Sequence, residues 1–503
     1  MEIDLVEEQA SLSLPQIQQK RRPARPVDDD HAFDLDAYIA SYSGRTAVDR
    51  LIVIISTCPS IAQQALQLAL AHISRLRDPS LVSLVVSAYE SVLSSPAGAA
   101  AGLLPFGDVV QVDVSWIDEV TKQNAAERTK LEVELKTYTN NMIKESIRMG
   151  HRDLGDFFRS TGEFAYALKH YTKSREFCST SQHVLDMCLS VLELAIEQRN
   201  YAHIPSYVYK AEGALESVAA TAAASAAQGN NATAITPTQT QPPPFRGKAA
   251  TEREQVQTKL DFALALSHLG TGAYDKAATA FLKLGPADQL GDWIGKLVAP
   301  SDIAIYGILC ALGSLSRSTV KSHTLAHTVF ATYIEQEPYI RDLVQAYLSS
   351  NFKTVLELLA RYSTRHYIDI HLSLHVPELT RLIRNVAVVL YFEPFQTIRL
   401  ARMAAAFGWT VDELEREVVG LIQGGRIMGR VDSQNKILVA KKTDHRAELF
   451  THAMKTASQI QSMNRKLLLR MRLQQADLVV KDPKTKREQD RGQGLEAALG
   501  KIS

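Results

Sequence analysis

Cysteine is scarce in this chain: Cys58, Cys178, Cys188 and Cys310 are spread over 503 residues and form no CxxC pair. That excludes a CxxC redox or zinc motif and suits reduced thiols in cytosol or nucleus. Long hydrophobic runs are lacking too. Stretches such as Val386 to Phe392 are far shorter than the roughly 20 apolar residues a bilayer crossing takes. The start, Met1 to Gln9, is acidic where a secretory leader is basic and then apolar. A soluble, non-secreted protein of cytoplasm and nucleus is expected. Excess charge of one sign is also missing, since 56 Lys and Arg against 55 Asp and Glu leave +1. No global field draws the chain to nucleic acid or to an anionic membrane, so partner choice must be local.

Catalytic signatures are absent in the same way. His323 and His327, like His371 and His375, are four apart as two metal ligands on a helix would be, but neither pair is HExxH with its general-base glutamate, and both read as structural. Gly291-Asp292-Trp293-Ile294-Gly295-Lys296 is one residue short of a phosphate loop, and Leu297 stands where a magnesium-binding Ser or Thr is needed. Gly-x-Ser-x-Gly does not occur. No catalytic residue, cofactor site or metal ligand is assigned, and no cofactor is expected.

What is present is mostly helix, on a chain long enough for several domains or an extended repeat array. Residues 1–33 mix charge, Gln and Pro and read as a disordered tail. N-terminal helices are expected over 34–110, with Pro96 to Gly107 as a loop. A helical-repeat solenoid is expected over 111–385, interrupted by a low-complexity, disordered insertion at about 219–248. Residues 386–442 read as a winged helix, 443–475 as one long helix and 476–503 as a charged tail.

The repeat signature sits at Leu154 to Ser174. Leu154-Gly155, Phe158, Gly162, Phe164, Ala167 and Tyr171 fall at the offsets of a tetratricopeptide hairpin, in which small residues let two helices touch and aromatic residues fill the gaps. A weaker copy has Leu264, Ala265, Gly272, Tyr274, Ala277 and Phe281, and Asn200-Tyr201 and Asn351-Phe352 open more degenerate turns. Their uneven spacing predicts a right-handed stack of helix pairs of irregular length.

Phe395 to Lys442 reads as a winged-helix unit. An Ala-rich helix over Phe395 to Phe407 stops at Gly408, and Thr410 with Glu413 forms a capping box for a second helix. Val411, Leu414, Val418, Leu421 and Ile422 give that helix one apolar face, and Gly424-Gly425 ends it. Ile427 and Val431, then Ile437 and Val439 across the turn Asp432-Ser433-Gln434-Asn435, alternate as a β-hairpin wing. Asp412, Glu413, Glu415 and Glu417 surround a single Arg416, so the second helix is poorly suited to a phosphate backbone. An ordinary solvated acidic face accounts for this pattern, and so does a docking surface for another protein. Beyond the wing, Phe450, Ala453, Ala457, Ile460, Met463, Leu467 and Met471 recur at spacings of three and four on a helix without Pro or Gly, the seam of a helix bundle. Folding back on its own solenoid would also bury that stripe.

Repeat hairpins, then a winged helix, then a long terminal helix resemble the PCI-domain family of the proteasome lid, the COP-9 signalosome and translation initiation factor three. Leu35-Asp36, Tyr38, Ala40-Ser41-Tyr42-Ser43-Gly44, Arg50-Leu51 and Cys58-Pro59 are similar to the start of the signalosome's subunit-one family. So are Ile143-Lys144-Glu145-Ser146-Ile147-Arg148, Gly150-His151, Asp153-Leu154-Gly155-Asp156, His183-Val184, Met187-Cys188-Leu189, Tyr207-Val208 and Lys210-Ala211-Glu212. The match continues through Arg402-Met403-Ala404-Ala405-Ala406-Phe407, Val431-Asp432-Ser433 and Lys436-Ile437-Leu438. Departures sit in the tails, the loop near residue 100 and the Ala-rich insertion, whose composition looks fungal. The resemblance implies a non-catalytic scaffold of the complex that removes Nedd8 from cullin-RING ubiquitin ligases, with a paralogous proteasome-lid scaffold as the alternative. It implies partners among other PCI subunits and the metalloprotease subunit, with cullin-RING ligases reached through the complex, and neither membrane nor nucleic acid. It further implies that the winged helix meets a neighbouring subunit edge to edge through Ile427, Met428, Arg430, Val431, Ile437 and Val439, and that the terminal helices gather into one bundle.

Overall fold

The computed structural model of the chain describes residues 33–110, 113–228, 245–324, 326–441 and 445–478, and side chains there except at 219–228, 245–250 and 445. The tail before Phe33, the middle of the Ala-rich insertion and the charged tail after Leu478 lie outside the described residues. The chain divides into two compact units, one ending at Ile427 and one beginning at Met428. No described helix is long and apolar enough to cross a membrane.

The larger unit opens with four helices, Leu35–Ala40, Gly44–Thr57, Ala62–Ile73 and Ser80–Leu93. Their apolar faces close on Val48, Leu51, Ile54, Leu66, Val85 and Tyr89. Asp34 caps the first of them, its Oδ1 accepting from Ala37 N at 3.1 Å. The stretch from Pro96 is not a plain loop, since Pro96–Ala100 and Phe106–Val109 are short helices. Ser95 explains the first: its hydroxyl accepts from Gly98 N at 3.1 Å, and Pro96 occupies the first helical position, where its missing N–H costs nothing.

The repeat array follows, and its helix pairs share one turn. At each, a single residue takes left-handed φ and the next N–H donates to the carbonyl five residues back, the cap that satisfies the orphan carbonyls of a helix end. Gly162 (φ 83°) does this between Lys144–Ser160 and Phe164–Ser174, with Glu163 N to Phe158 O at 2.8 Å. Gly272 (φ 77°) does it between Phe245–Gly270 and Tyr274–Leu282, with Ala273 N to His268 O at 2.9 Å. Arg199 (φ 59°) fills the place between Ser181–Glu197 and Ile204–Gln228, and Ser350 (φ 62°) between Pro338–Leu348 and Phe352–Arg361. The matching bonds there, Asn200 N to Ala195 O and Asn351 N to Ala346 O, are both 2.9 Å. Met142 (φ 56°) closes Val114–Asn140 before Lys144–Ser160 in the same manner. The asparagine turns of the sequence are therefore the same device with a non-glycine residue in the left-handed place. The Ala-rich stretch contributes helix as well, because Ile204–Gln228 runs ten residues into it and Phe245–Gly270 begins before its expected end.

Within the Leu154 to Ser174 hairpin, Phe158 and Ala167 are buried, and Gly155 lets the Tyr171 ring lie flat on its helix; a Cβ there would fall 2.5 Å from that ring. Tyr171 reaches past it to donate its hydroxyl to Asp156 Oδ1 at 2.6 Å. A side chain at Gly162 would run into the buried Asp78 carboxylate, and Phe164 is half-buried beneath the Arg45 guanidinium, 4.5 Å from its ring centre. Ala167→Trp is expected to overpack this contact and destabilise by about 1–3 kcal/mol. Thermal melting checks it, and an unchanged midpoint would count against the repeat packing.

The larger unit ends with Val376–Phe392, a short strand Thr397–Arg399, and the helices Leu400–Phe407 and Val411–Gln423. The first of the paired helices starts at Leu400 and not at Phe395, because Arg399 still has extended backbone after β-branched Thr397 and Ile398. Gly408 (φ 72°) closes it, with Trp409 N to Ala404 O at 3.0 Å. Phe407 stacks on Phe352 of the last repeat hairpin at 5.7 Å, which seats this helix pair on the array. The smaller unit holds an antiparallel hairpin, Gly429–Asp432 with Ile437–Ala440, and the 31-residue helix His445–Gln475. The architecture is mostly α: a tetratricopeptide-like repeat array, a winged-helix part with a small hairpin wing, and a long C-terminal helix.

Candidate assembly surfaces

Three surfaces were expected to carry function: the acidic helix, the wing and the terminal helix. In Val411–Gln423, Leu414, Val418 and Leu421 are buried. Thr410 caps it, accepting from Glu413 N at 3.4 Å, but the Glu413 side chain turns to Arg384, so only half of the expected capping box forms. Arg384, from Val376–Phe392, meets Glu413 and Glu417 at 3.3 Å each and lies 4.4 Å over the Trp409 ring. Two of the four acids thereby share one cation inside the unit, so the helix presents a weaker acidic face than the sequence suggests. Arg384 carried no local signal, because the pairing joins residues 29 apart.

In the wing, the register pairs Arg430 with Val439, Val431 with Leu438 and Asp432 with Ile437. Side chains alternate along a strand, so Val431 shares a face with Leu438, while Arg430, Ile437 and Val439 take the other. Leu438 is fully buried and had not been singled out; Ile427 is buried too, whereas Met428 and Arg430 are exposed and Val431, Ile437 and Val439 half-buried. Of the proposed edge residues, Ile427 is therefore not accessible. The turn is held by Asp432, whose carboxylate accepts from Gln434 N at 3.1 Å and Asn435 Nδ2 at 2.8 Å. The Asn435 side chain, followed by backbone N–H groups, holds the Asp432 carboxyl below its ordinary range.

Along His445–Gln475, Phe450, Ala453, Ala457, Ile460, Met463, Leu467 and Met471 are all exposed. So are Leu449, Met454, Leu468, Leu469 and Leu473, which the spacing argument had not collected. A helix with this much exposed apolar surface is not satisfied alone.

The features set aside as structural have structural partners. His371 Nδ1 meets the Tyr201 hydroxyl at 2.7 Å, His375 Nδ1 that of Tyr274 at 3.0 Å, and His327 Nδ1 accepts from Phe330 N at 3.3 Å. The Gly291 to Lys296 loop delivers Trp293 Nε1 and Lys296 Nζ to buried Glu193 at 2.8 and 2.7 Å. Burial would raise the Glu193 carboxyl, but Arg159, at 2.6 Å, and Lys296 outweigh it and hold it low. Among the described residues no group of three or more His, Cys, Asp or Glu could hold a metal ion.

Two family models match the chain: 26S proteasome subunit RPN7 over residues 113–323 and PCI domain over residues 336–442. COP9 signalosome complex subunit 1 of Arabidopsis thaliana is 33% identical over 452 residues, covering 89% of this chain and 91% of the relative. Subunit 1b of Drosophila melanogaster is 30% identical, covering 90% and 88% of the two chains. Subunit 1 of Emericella nidulans is also 30% identical, covering 95% and 90%. The 26S proteasome non-ATPase regulatory subunit 6 of Oryza sativa is more distant, 20% identical over 75% of this chain and 88% of the relative.

Proposed function

The chain belongs to the COP9 signalosome complex subunit 1 family, and on that premise we propose that it is a non-catalytic scaffold of a signalosome that removes Nedd8 from cullin-RING ligases. The observation that carries the assembly part is the exposed apolar side of His445–Gln475, including Phe450 at 67%, Met463 at 69% and Leu467 at 61%. Burying each large side chain is worth about 1.5–3 kcal/mol, a gain that partner helices collect and water does not. The hairpin edge with Met428 and Arg430 offers a second contact, to a neighbouring PCI subunit. The isopeptide chemistry belongs to a metalloprotease subunit, and the repeat array helps to position the cullin ligase. The assembly works in cytoplasm and nucleus, with nucleic acid and membrane as non-partners.

Deletion of residues 443–475 tests this. Recovered from native cells through a tag, the truncated chain is expected to lose its co-purifying subunits and the Nedd8-removing activity that comes with them, while its repeat helices melt as before. Full incorporation of the truncated chain would sink the bundle reading. Co-purification of proteasome subunits in place of signalosome subunits would move the scaffold to the proteasome lid, which the match to the RPN7 model keeps as the second reading.

A further inference from the structure

The terminal helix changes character halfway along. In its first half Leu449, Phe450, Ala453, Met454, Ala457 and Ile460 crowd one side, and the row opposite, Thr451, Lys455, Ser458 and Ser462, is polar. Followed onward by steps of four, three and four, that same row becomes Lys466, Leu469 and Leu473. Leu467, Leu468 and Met471 continue the front, so from Leu467 to Leu473 apolar side chains stand on opposite sides of the helix with Arg470 and Arg472 between them, and each of the five leucine and methionine side chains is exposed. The helix does not fray before this point: Leu478 N donates to Leu473 O at 2.9 Å, closing the end with Asp477 in left-handed φ. A helix apolar on one side lies at the edge of a packed body, whereas one apolar on two opposite sides needs neighbours on both.

Charge narrows what encloses it. Between Glu448 and Asp477 there is no Asp or Glu, while Lys455, Arg465, Lys466, Arg470 and Arg472 are all cations. The last four flank the back row of Leu469 and Leu473, Arg465 and Arg472 on one side and Lys466 and Arg470 on the other, so a neighbour packed on that row meets cations on both flanks. A parallel second copy would set the two clusters against each other, a repulsion that sharpens as water is excluded.

We propose that this helix enters its bundle as a plug, its first half at the rim and the segment Leu467 to Leu473 enclosed by helices of other subunits whose apolar stripes are flanked by Asp and Glu. The proposal deepens the bundle reading above and rests on it, and the variants separate the two. In the tagged full chain, Phe450→Gln with Ile460→Gln probes the bundle, Leu469→Gln with Leu473→Gln the enclosure, and Thr451→Gln with Ser458→Gln the rim. Recovery of co-purifying subunits from cells is expected to fall about tenfold or more in the first two and to stay within about twofold in the third. Arg465→Glu, Arg470→Glu and Arg472→Glu together are expected to act like the first two, and lysine at the same three positions like the third. All these positions are exposed in the chain, so unchanged melting verifies that each variant is folded.

Normal incorporation of the Leu469/Leu473 variant, when the Phe450/Ile460 variant is lost, overturns the enclosure and leaves the bundle. Normal incorporation of both overturns the bundle itself. The acidic helices are overturned if the charge reversal incorporates normally. They are also overturned if the purified chain dimerises through this segment in sedimentation, or if the reversal abolishes a salt-sensitive affinity for duplex nucleic acid without touching incorporation.

Discussion

Arg50→Met is expected to destabilise the larger unit by about 3–5 kcal/mol, because it strands buried carboxylates. Arg50 has no exposed surface; its Nη2 meets Asp302 at 2.7 Å and its Nη1 meets Asp369 at 2.8 Å and the Tyr38 hydroxyl. Arg365 balances the set, 2.8 Å from the other oxygen of Asp302. Tyr306 donates to Asp369 at 2.7 Å, and the N–H groups of His371 and Leu372 reach its second oxygen at 2.8 Å each. Arg50 and Arg365 thus face Asp302 and Asp369 in the interior, and Glu337, 3.6 Å from Arg365, lies at the partly exposed edge of the set. Burial would raise the Asp369 carboxyl, yet the Arg50 guanidinium beside it keeps it well below the usual carboxylate range. Methionine fills the volume but leaves one charge uncompensated. Arg50→Met with Asp369→Asn removes one charge of each sign and is expected to recover part of the loss. Urea unfolding followed by helix signal checks both, and a single-variant loss below about 1 kcal/mol would refute the account.

The partners of Arg50 lie 252 and 319 residues away in sequence, which is why no periodicity exposes them. The N-terminal helices, which the sequence sets apart as their own segment, are locked by this cluster to Pro300–Ser314 and to the Ser363–Ile368 region. Local signals fared otherwise. Gly155, Gly162, Ala167 and Tyr171 mark their hairpin because smallness and aromatic bulk are written at fixed offsets, and Gly272 marks another. Arg199 and Ser350 occupy the same left-handed turn marked only by the asparagine that follows each, and Met142 occupies it unmarked, since a non-glycine residue held there by its neighbours leaves no compositional trace of its own. The wing was legible as a hairpin, but its faces were not. The alternation picked out Ile437 and Val439 and passed over their neighbour Leu438, which is the fully buried one, and a shift of one reverses every side chain of a strand. On the terminal helix the stripe was read and the apolar residues behind it, Leu469 and Leu473, were missed, because a search for one seam passes over the opposite side.

Acidification from pH 7.5 to 5 is expected to weaken the larger unit well before its carboxylates protonate. His366 and His371 are buried, and burial first, with nearby Arg365 or Arg50 adding to it, pushes their pKa from 6.5 down to about 3 and about 4. Both accept or share a tyrosine hydroxyl, Tyr339 at 3.0 Å and Tyr201 at 2.7 Å, and so are neutral when folded. His151 is pushed down to about 4 by burial and by His170, whose Nδ1 faces its own at 3.1 Å. Below pH 6.5 the unfolded chain takes up protons that the folded chain refuses, so stability falls with pH. The contribution is whole above 6.5 and declines until each folded pKa is reached. Each group gives up about 1.4 kcal/mol per pH unit in that window, on the order of 3–4 kcal/mol for His366 and His371 together by pH 5. Asp369 adds its own loss only lower, below the ordinary carboxylate range near pH 4, since its folded pKa is the depressed one. Urea midpoints at pH 7.5, 6 and 5 measure this. His366→Gln with His371→Gln is expected to start lower at pH 7.5 and to show a flatter slope, because glutamine takes up no proton in either state. A wild-type midpoint that does not move between pH 7.5 and 5 would mean that these imidazoles are hydrated or already paired with a charge, and the packing around the 366 to 375 turn would have to be redrawn.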